Sequence, residues 1–183
     1  CGQGVIISGA EKPLRYLAER MSIPVTTTLL GKGGFPETHE LSLGMPGMHG
    51  TAYANKALNA CDLVMSVGSR WDNRIVGNVS KFCVTAKKIH IDIDQAEINK
   101  IVKVDCGIVG DAKTVLEELN GILRQGRTNG WLRQISQWKR NFPLKYRKEG
   151  KLKAQHVIDE MYKLTEGKAI VTSDVGQHQM WAA

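Results

Sequence analysis

Arg70 and Arg74 stand four residues apart in the run GSRWDNR at 68–74, with Gly68 and Ser69 at its head and Asp72 between the two arginines. A second glycine-rich run, LGMPGMHG at 43–50, offers Met48 and His49. Carboxylates recur at Asp92 and Asp94, on either side of Ile93, and at Asp111 directly after Gly110. Glycines let a backbone approach a pyrophosphate, guanidinium groups neutralise it, and a carboxylate accepts hydrogen bonds from ribose or ribityl hydroxyls. The set therefore suits a nucleotide-like ligand. Each part also has a plain structural explanation: Asp92 and Asp94 as caps of a turn, Arg70 and Arg74 as surface ion pairs, His49 as a helix-start residue, and Met45, Met48 and Met65 as core. The glycines of CGQG at 1–4 precede the first apolar run and do not match G-x-G-x-x-G in position or spacing, which disfavours an ordinary NAD-binding Rossmann domain.

Such residues work together only if one scaffold brings them to one edge, and in open parallel sheets that edge is the carboxyl ends of the strands. The apolar run VIIS at 5–8 reads as a strand, followed by a helix over 13–21 with Leu14, Leu17, Ala18 and Met21 at helical spacing. PVTTTL at 24–29 reads as a second strand ending in the loop of Gly31, Gly33 and Gly34. A helix over 51–60 then leads into DLVMSVG at 62–68, the strongest strand signal in the chain. KIHIDID at 88–94 alternates apolar and polar residues, 107–109 is a short strand, and 111–123 is an amphipathic helix with Asp111 as its N-cap. Strands alternating with helices in this way predict an α/β fold with a parallel sheet flanked by helices. Beyond it, 131–142 can form a surface helix, 154–164 reads as a helix, and KAIVTSDV at 168–175 as a buried strand opening a second α/β domain. The expected division is a domain over 1–126, a basic linker over 127–153, and the start of a second domain over 154–183.

Composition narrows the function classes. The 183 residues are 42% hydrophobic and 23% charged, which excludes global disorder. Of the formal net charge of +7, most lies in KRNFPLKYRKEGKLK at 139–153. That run reads as a solvated connecting segment; the alternative, a nucleic-acid or membrane patch, lacks interleaved aromatics and any RNA-binding signature. Cys1, Cys61, Cys83 and Cys106 form no C-x-x-C pair, so neither a metal site nor a disulfide framework is expected. No apolar stretch approaches the ~20 residues needed to span a bilayer, and a soluble, cytoplasmic protein is the expectation. The chain starts at Cys1, without a methionine, and stops at Ala183 within an incipient helix, which reads as an excised fragment.

Five segments in order, PVTTTLLGKGGFPETH at 24–39, LGMPGMHGTAYANKAL at 43–58, DLVMSVGSRWDNR at 62–74, KKIHIDIDQAEINK at 87–100 and DVGQHQMWAA at 174–183, resemble the large catalytic subunit of the acetolactate synthase family. GMHGT, GSRWDNR and VGQHQMWAA are specific within the wider thiamine-diphosphate enzymes. The resemblance implies a three-domain enzyme that decarboxylates one 2-ketoacid and condenses it with a second, in branched-chain amino-acid synthesis. It implies a plastid or mitochondrion in place of the cytoplasm if the source is eukaryotic. It further implies a homodimer or tetramer, with room for a regulatory small subunit, and no nucleic-acid or membrane partner. This chain would be the central domain and the start of the third. Rival readings are the central domain of another thiamine-diphosphate decarboxylase or ligase, and a scaffold domain that binds nothing.

By position in the motifs, the resemblance places FAD against Gly2, Gly4, Thr28, Leu29, Met48, His49, Gly68, Ser69, Arg70, Asp72, Asp92, Ile93, Gly110 and Asp111. It turns Arg74 and Met48 toward the substrate, and it sets Gly176, Gln177 and His178 near the phosphates of thiamine diphosphate. No catalytic residue and no metal ligand is expected within the chain itself. The glutamate that activates the thiamine ring belongs to a domain outside it, and the G-D-G magnesium motif does not occur. Two departures stand out: Gly2-Gln3-Gly4 replaces the usual run of three glycines, and Asn73 replaces the second aspartate of the family's RFDDR loop.

Overall fold

The computed structural model describes residues 1–183, which divide into two compact units, Cys1–Phe142 and Pro143–Ala183. The first is built on three parallel strands, β1 (Leu63–Val67), β2 (Lys87–Asp92) and β3 (Cys106–Val109), in the order β1-β2-β3. Leu63 is in register with Lys87, and Ile89 with Cys106. The period-2 pattern sorts the two faces. Met65, Val67, Ile89, Ile91 and Ile108 turn to one side, where Leu14, Leu17, Ala18 and Leu116 complete the main core. On the other side Val64 and the ring of His90 meet a smaller cluster built around Trp71, Phe82 and Val102. The expected parallel sheet flanked by helices is therefore present.

The helices follow their local chemistry. A short helix α1 (Gln3–Ile7) precedes α2 (Glu11–Met21). Pro13 falls in the first turn of α2, where its missing N–H leaves no bond unmade. α3 (Ala52–Ala60) starts where the Thr51 hydroxyl accepts from Ala54 N–H at 3.0 Å. After β1 comes the single turn α4 (Asn73–Val76). α5 (Ala112–Ile122) begins at the expected cap, with Asp111 Oδ1 accepting from Lys113 and Thr114 N–H at 3.0 and 3.1 Å. Asp111→Ala should lower stability by about 1 kcal/mol, read as an earlier urea midpoint at unchanged slope; an unchanged midpoint would refute the capping role.

Three expectations fail. Residues 5–7 are helical rather than a strand and Ser8 caps that helix, because Val5 and Ser8 N–H bond back to Gly2 O and Gly4 O instead of to a neighbouring strand. Residues 24–29 form a single bridge, Val25 to Ser42, followed by a 3-10 turn at Leu29–Gly31. Residues 168–175 form no strand, and Ile170 is 96% exposed, because a parallel strand needs an adjacent strand and none lies beside it in this unit.

The stretch read as linker contains α6 (Asn129–Asn141), whose Ile135, Trp131 and Trp138 pack on Leu43, Ala54 and Ala57. Gly126 N–H bonds Arg20 O at 3.3 Å, and the Thr128 hydroxyl bonds Ser22 O. Lys139, counted with the solvated charges, donates to Glu40 O at 3.0 Å and Ser42 O at 2.6 Å. Burial holds its pKa below the usual lysine value. The second unit carries α7 (Ala154–Leu164), the expected helix, and α8 (Gln177–Ala182).

Candidate functional site at the carboxyl edge of the sheet

Backbone hydrogen bonds string most of the expected residues into one row along the strand ends. Gly2 N–H bonds Val67 O at 2.9 Å, Gly4 N–H bonds Gly68 O at 3.1 Å, Gly68 N–H bonds Ile91 O at 2.8 Å, and Gly110 N–H bonds Asp92 O at 2.9 Å. Thr28 joins through its N–H to Cys1 O at 2.9 Å, with Leu29 next to it opening the 3-10 turn that the Thr28 hydroxyl caps. Ile93 ends the row, 73% exposed beside the buried Asp92.

The glycines here serve the chain's own backbone. A Cβ on Gly4 would lie 2.7 Å from Gly68 Cα, and one on Gly2 would lie 2.2 Å from Gly68 O. With both N–H groups already donating inside the chain, Gly2 and Gly4 form a floor rather than a phosphate-binding pair.

The 68–74 turn is pinned from within. Trp71 adopts a left-handed backbone (φ 57°), is buried, and stacks on His90 with centroids 5.4 Å apart. His90 Nε2 hydrogen-bonds Ser69 O at 2.8 Å, and the Ser66 hydroxyl donates to the same carbonyl at 3.1 Å. Trp71 thus holds the turn while its neighbour Arg70 lies exposed. Asp72 caps α4 by accepting from Arg74 N–H at 2.8 Å. Neither Arg70 nor Arg74 pairs with a carboxylate, which sets aside the ion-pair explanation and leaves both guanidiniums available to an anion.

The glycine-rich loop docks on this turn. Met48 N–H donates to Arg74 O at 2.8 Å. Asn55 clamps Gly47 from both sides, accepting from its N–H at 2.8 Å and donating to its carbonyl at 2.9 Å. A cavity of about 270 Å³ lies at the junction, bounded by Met48, Asn55, Arg74, Lys81 and Phe82. Met45 is buried and Met65 packs on the core, as their residue type implies, but Met48 is 68% exposed. His49 is exposed beside it, and the helix cap falls to Thr51 instead.

The carboxylates retain capacity. Asp92 gives Oδ1 to Asp94 N–H at 3.0 Å, and its Oδ2 lies 3.6 Å from His90 Nε2. Asp94 caps the turn at Gln95–Glu97. Asp111 uses Oδ1 alone. Free carboxylate oxygens, two unpaired guanidiniums and the exposed apolar Ile93, Met48 and Val109 suit a ligand that is part anionic and part apolar.

In the second unit, Gly176, Gln177 and His178 open α8; Gln177 and His178 are exposed, and the His178 ring lies 2.7 Å from where a Gly176 Cβ would stand. His156, Asp159 and Glu160 bring ligand atoms within 4.8 Å of one another, but Lys163 Nζ already bonds both carboxylates at 2.8 Å, so a cation occupies that position. Sequence reasoning missed His90, Ser66 and Asn55. The alternation in KKIHID, which puts His90 on the face of Asp92, was the available signal for the first.

The model described as the thiamine pyrophosphate enzyme central domain matches residues 1–119. The acetolactate synthase large subunit of Haemophilus influenzae is 45% identical over 189 residues, covering 100% of this chain and 33% of the relative. That of Cyanidium caldarium is 45% identical over 190 residues, covering 100% and 32%. The chloroplastic acetolactate synthase 1 of Oryza sativa subsp. japonica is 45% identical, covering 100% and 29%. The chain therefore spans about a third of the length of these curated relatives. No helix is long and apolar enough to cross a membrane. With a parallel sheet of the expected kind and a family match over residues 1–119, the chain belongs to the thiamine pyrophosphate enzyme central-domain family.

Proposed function

We propose that the full-length protein is the large subunit of an acetolactate synthase, which decarboxylates pyruvate and joins it to a second 2-ketoacid. These 183 residues supply its FAD-binding central domain and the start of the domain that holds thiamine diphosphate and Mg2+. The observation that carries the reading is the docking of Met48 on Arg74, with Arg74, which pairs with no carboxylate, among the residues lining a cavity large enough for a small carboxylate. Arg74 there binds the carboxylate of the second ketoacid through paired N–H donors and orients its carbonyl for attack. Met48 covers the apolar end. Arg70 neutralises the flavin pyrophosphate, and Asp92, Asp111 and Asp72 accept from its hydroxyl groups. Gly68, Ser69, Gly110, Ile93, His49, Thr28 and Leu29 line its path, with Gly2 and Gly4 beneath. Gly176, Gln177 and His178 meet the thiamine phosphates. Thiamine diphosphate supplies the electron sink that decarboxylation requires.

Flavin fluorescence titration, with ADP and NAD as competitors, tests the binding half. Saturable FAD binding that NAD leaves intact is expected, weakened about 10-fold by Arg70→Ala. Loss of FAD binding in the full-length protein would instead favour a flavin-free or purely scaffolding domain, the reading supported by the committed N–H groups of Gly2 and Gly4. The 183 residues alone should form no acetolactate; product from the pure chain would overturn that part.

A further inference from the structure

His90 is the only buried one of the chain's five histidines, and neither flavin nor ketoacid binding gives it a task. It projects from β2 onto the 68–74 turn and there holds both neighbours of Arg70. Toward Ser69 it offers Nε2, 2.8 Å from the carbonyl oxygen. A backbone carbonyl only accepts, so Nε2 carries the hydrogen. The Ser66 hydroxyl, at 3.1 Å, uses the second lone pair of the same oxygen, so the peptide plane that leads from Ser69 into Arg70 is held by two donors. Toward Trp71 it offers its ring face, with centroids 5.4 Å apart and planes 28° apart. Trp71 needs that grip: its φ of 57° lies in the left-handed region, which a bulky residue keeps only where its surroundings enforce it. Asp92, two residues along the same strand and therefore on the same face, brings Oδ2 to 3.6 Å from the same nitrogen. One imidazole thus borders both the arginine turn and the carboxylate.

We propose that His90 is a positioning residue for flavin binding, which sets Arg70 toward the pyrophosphate by acting through Ser69 and Trp71. The proposal rests on the reading of the strand ends as a flavin site, and it does not require His90 to touch the ligand. Arg70 is exposed and pairs with no carboxylate, so its two neighbours are what place it. Without the Nε2–H bond the Ser69–Arg70 peptide gains freedom to turn. Ordering Arg70 on an anion then costs conformational entropy that the native turn has already lost on folding.

The test titrates the full-length protein with FAD by flavin fluorescence, as wild type, His90→Phe, His90→Gln, Arg70→Ala, and the double variant carrying His90→Phe and Arg70→Ala. Phe keeps an aromatic ring against Trp71 and lacks the donor; Gln restores an N–H near the Nε2 position. His90→Phe should raise the Kd for FAD about 10-fold, and His90→Gln should stay within about 3-fold of the wild type. On top of Arg70→Ala, His90→Phe should add less than about 2-fold, because a residue that acts through Arg70 has nothing left to position. If His90→Phe does not fold, Ser66→Ala, which removes the other donor to Ser69 O, takes its place in the cycle, with a loss of about 3-fold that again disappears in Arg70→Ala. Wild-type binding that His90→Phe leaves unchanged, Gln as weak as Phe, or fully additive losses in the double variant would overturn the proposal and leave the flavin site standing. No FAD binding by the wild type would overturn both.

Discussion

Replacing Arg74 by alanine in the full-length protein should lower kcat/KM for acetolactate formation on the order of 100-fold, with most of the loss in KM for the second ketoacid. The reason is geometric. Arg74 lacks a carboxylate partner within the chain, and its backbone is held twice, by Asp72 at the start of α4 and by Met48. A fixed backbone thus holds Arg74 among the residues that line the cavity. Arg74→Lys should recover only part of the loss, because an ammonium offers no paired donors to a planar carboxylate. Steady-state kinetics with the second ketoacid varied would expose an error: unchanged KM and kcat in Arg74→Ala would remove it from the substrate's surroundings.

Gly68→Ala should destabilise the protein by about 3 kcal/mol and abolish the proposed flavin binding with it. Gly68 has φ +60°, and a Cβ would stand 2.6 Å from Gly4 Cα, where only backbone could move. That backbone is tied by the bond from Gly4 N–H to Gly68 O. Gly77 is the control: its φ is +59°, but a Cβ there meets nothing within 4 Å, so Gly77→Ala should cost about 1 kcal/mol through conformation alone. Urea unfolding of the two variants separates close approach from backbone preference. Equal losses would mean that the contact between Gly4 and Gly68 does not constrain the edge.

Elements whose pattern states their partner were legible. DLVMSVG is uniformly strand-forming, and KIHIDID announces its two faces; both became strands within one or two residues of the expected bounds. Asp111 could be read as a cap because capping is local, needing only the next three residues. Segments whose fate depends on a distant neighbour could not be read. VIIS and KAIVTSDV have strand composition, but a strand exists only where another chain segment takes its hydrogen bonds.

The same division runs through the site. Residue types alone suggested its chemistry: glycines, arginines and carboxylates at strand ends, in an order that resembles one enzyme family. Tertiary structure alone decided that Gly2 and Gly4 spend their N–H groups on the chain itself, that Met48 lies out while Met45 and Met65 lie in, and that His90 and Trp71 hold the arginine turn. Sequence records which groups a residue owns. Whether a group is already satisfied depends on atoms brought to it from tens of residues away, and only the folded backbone sets those distances.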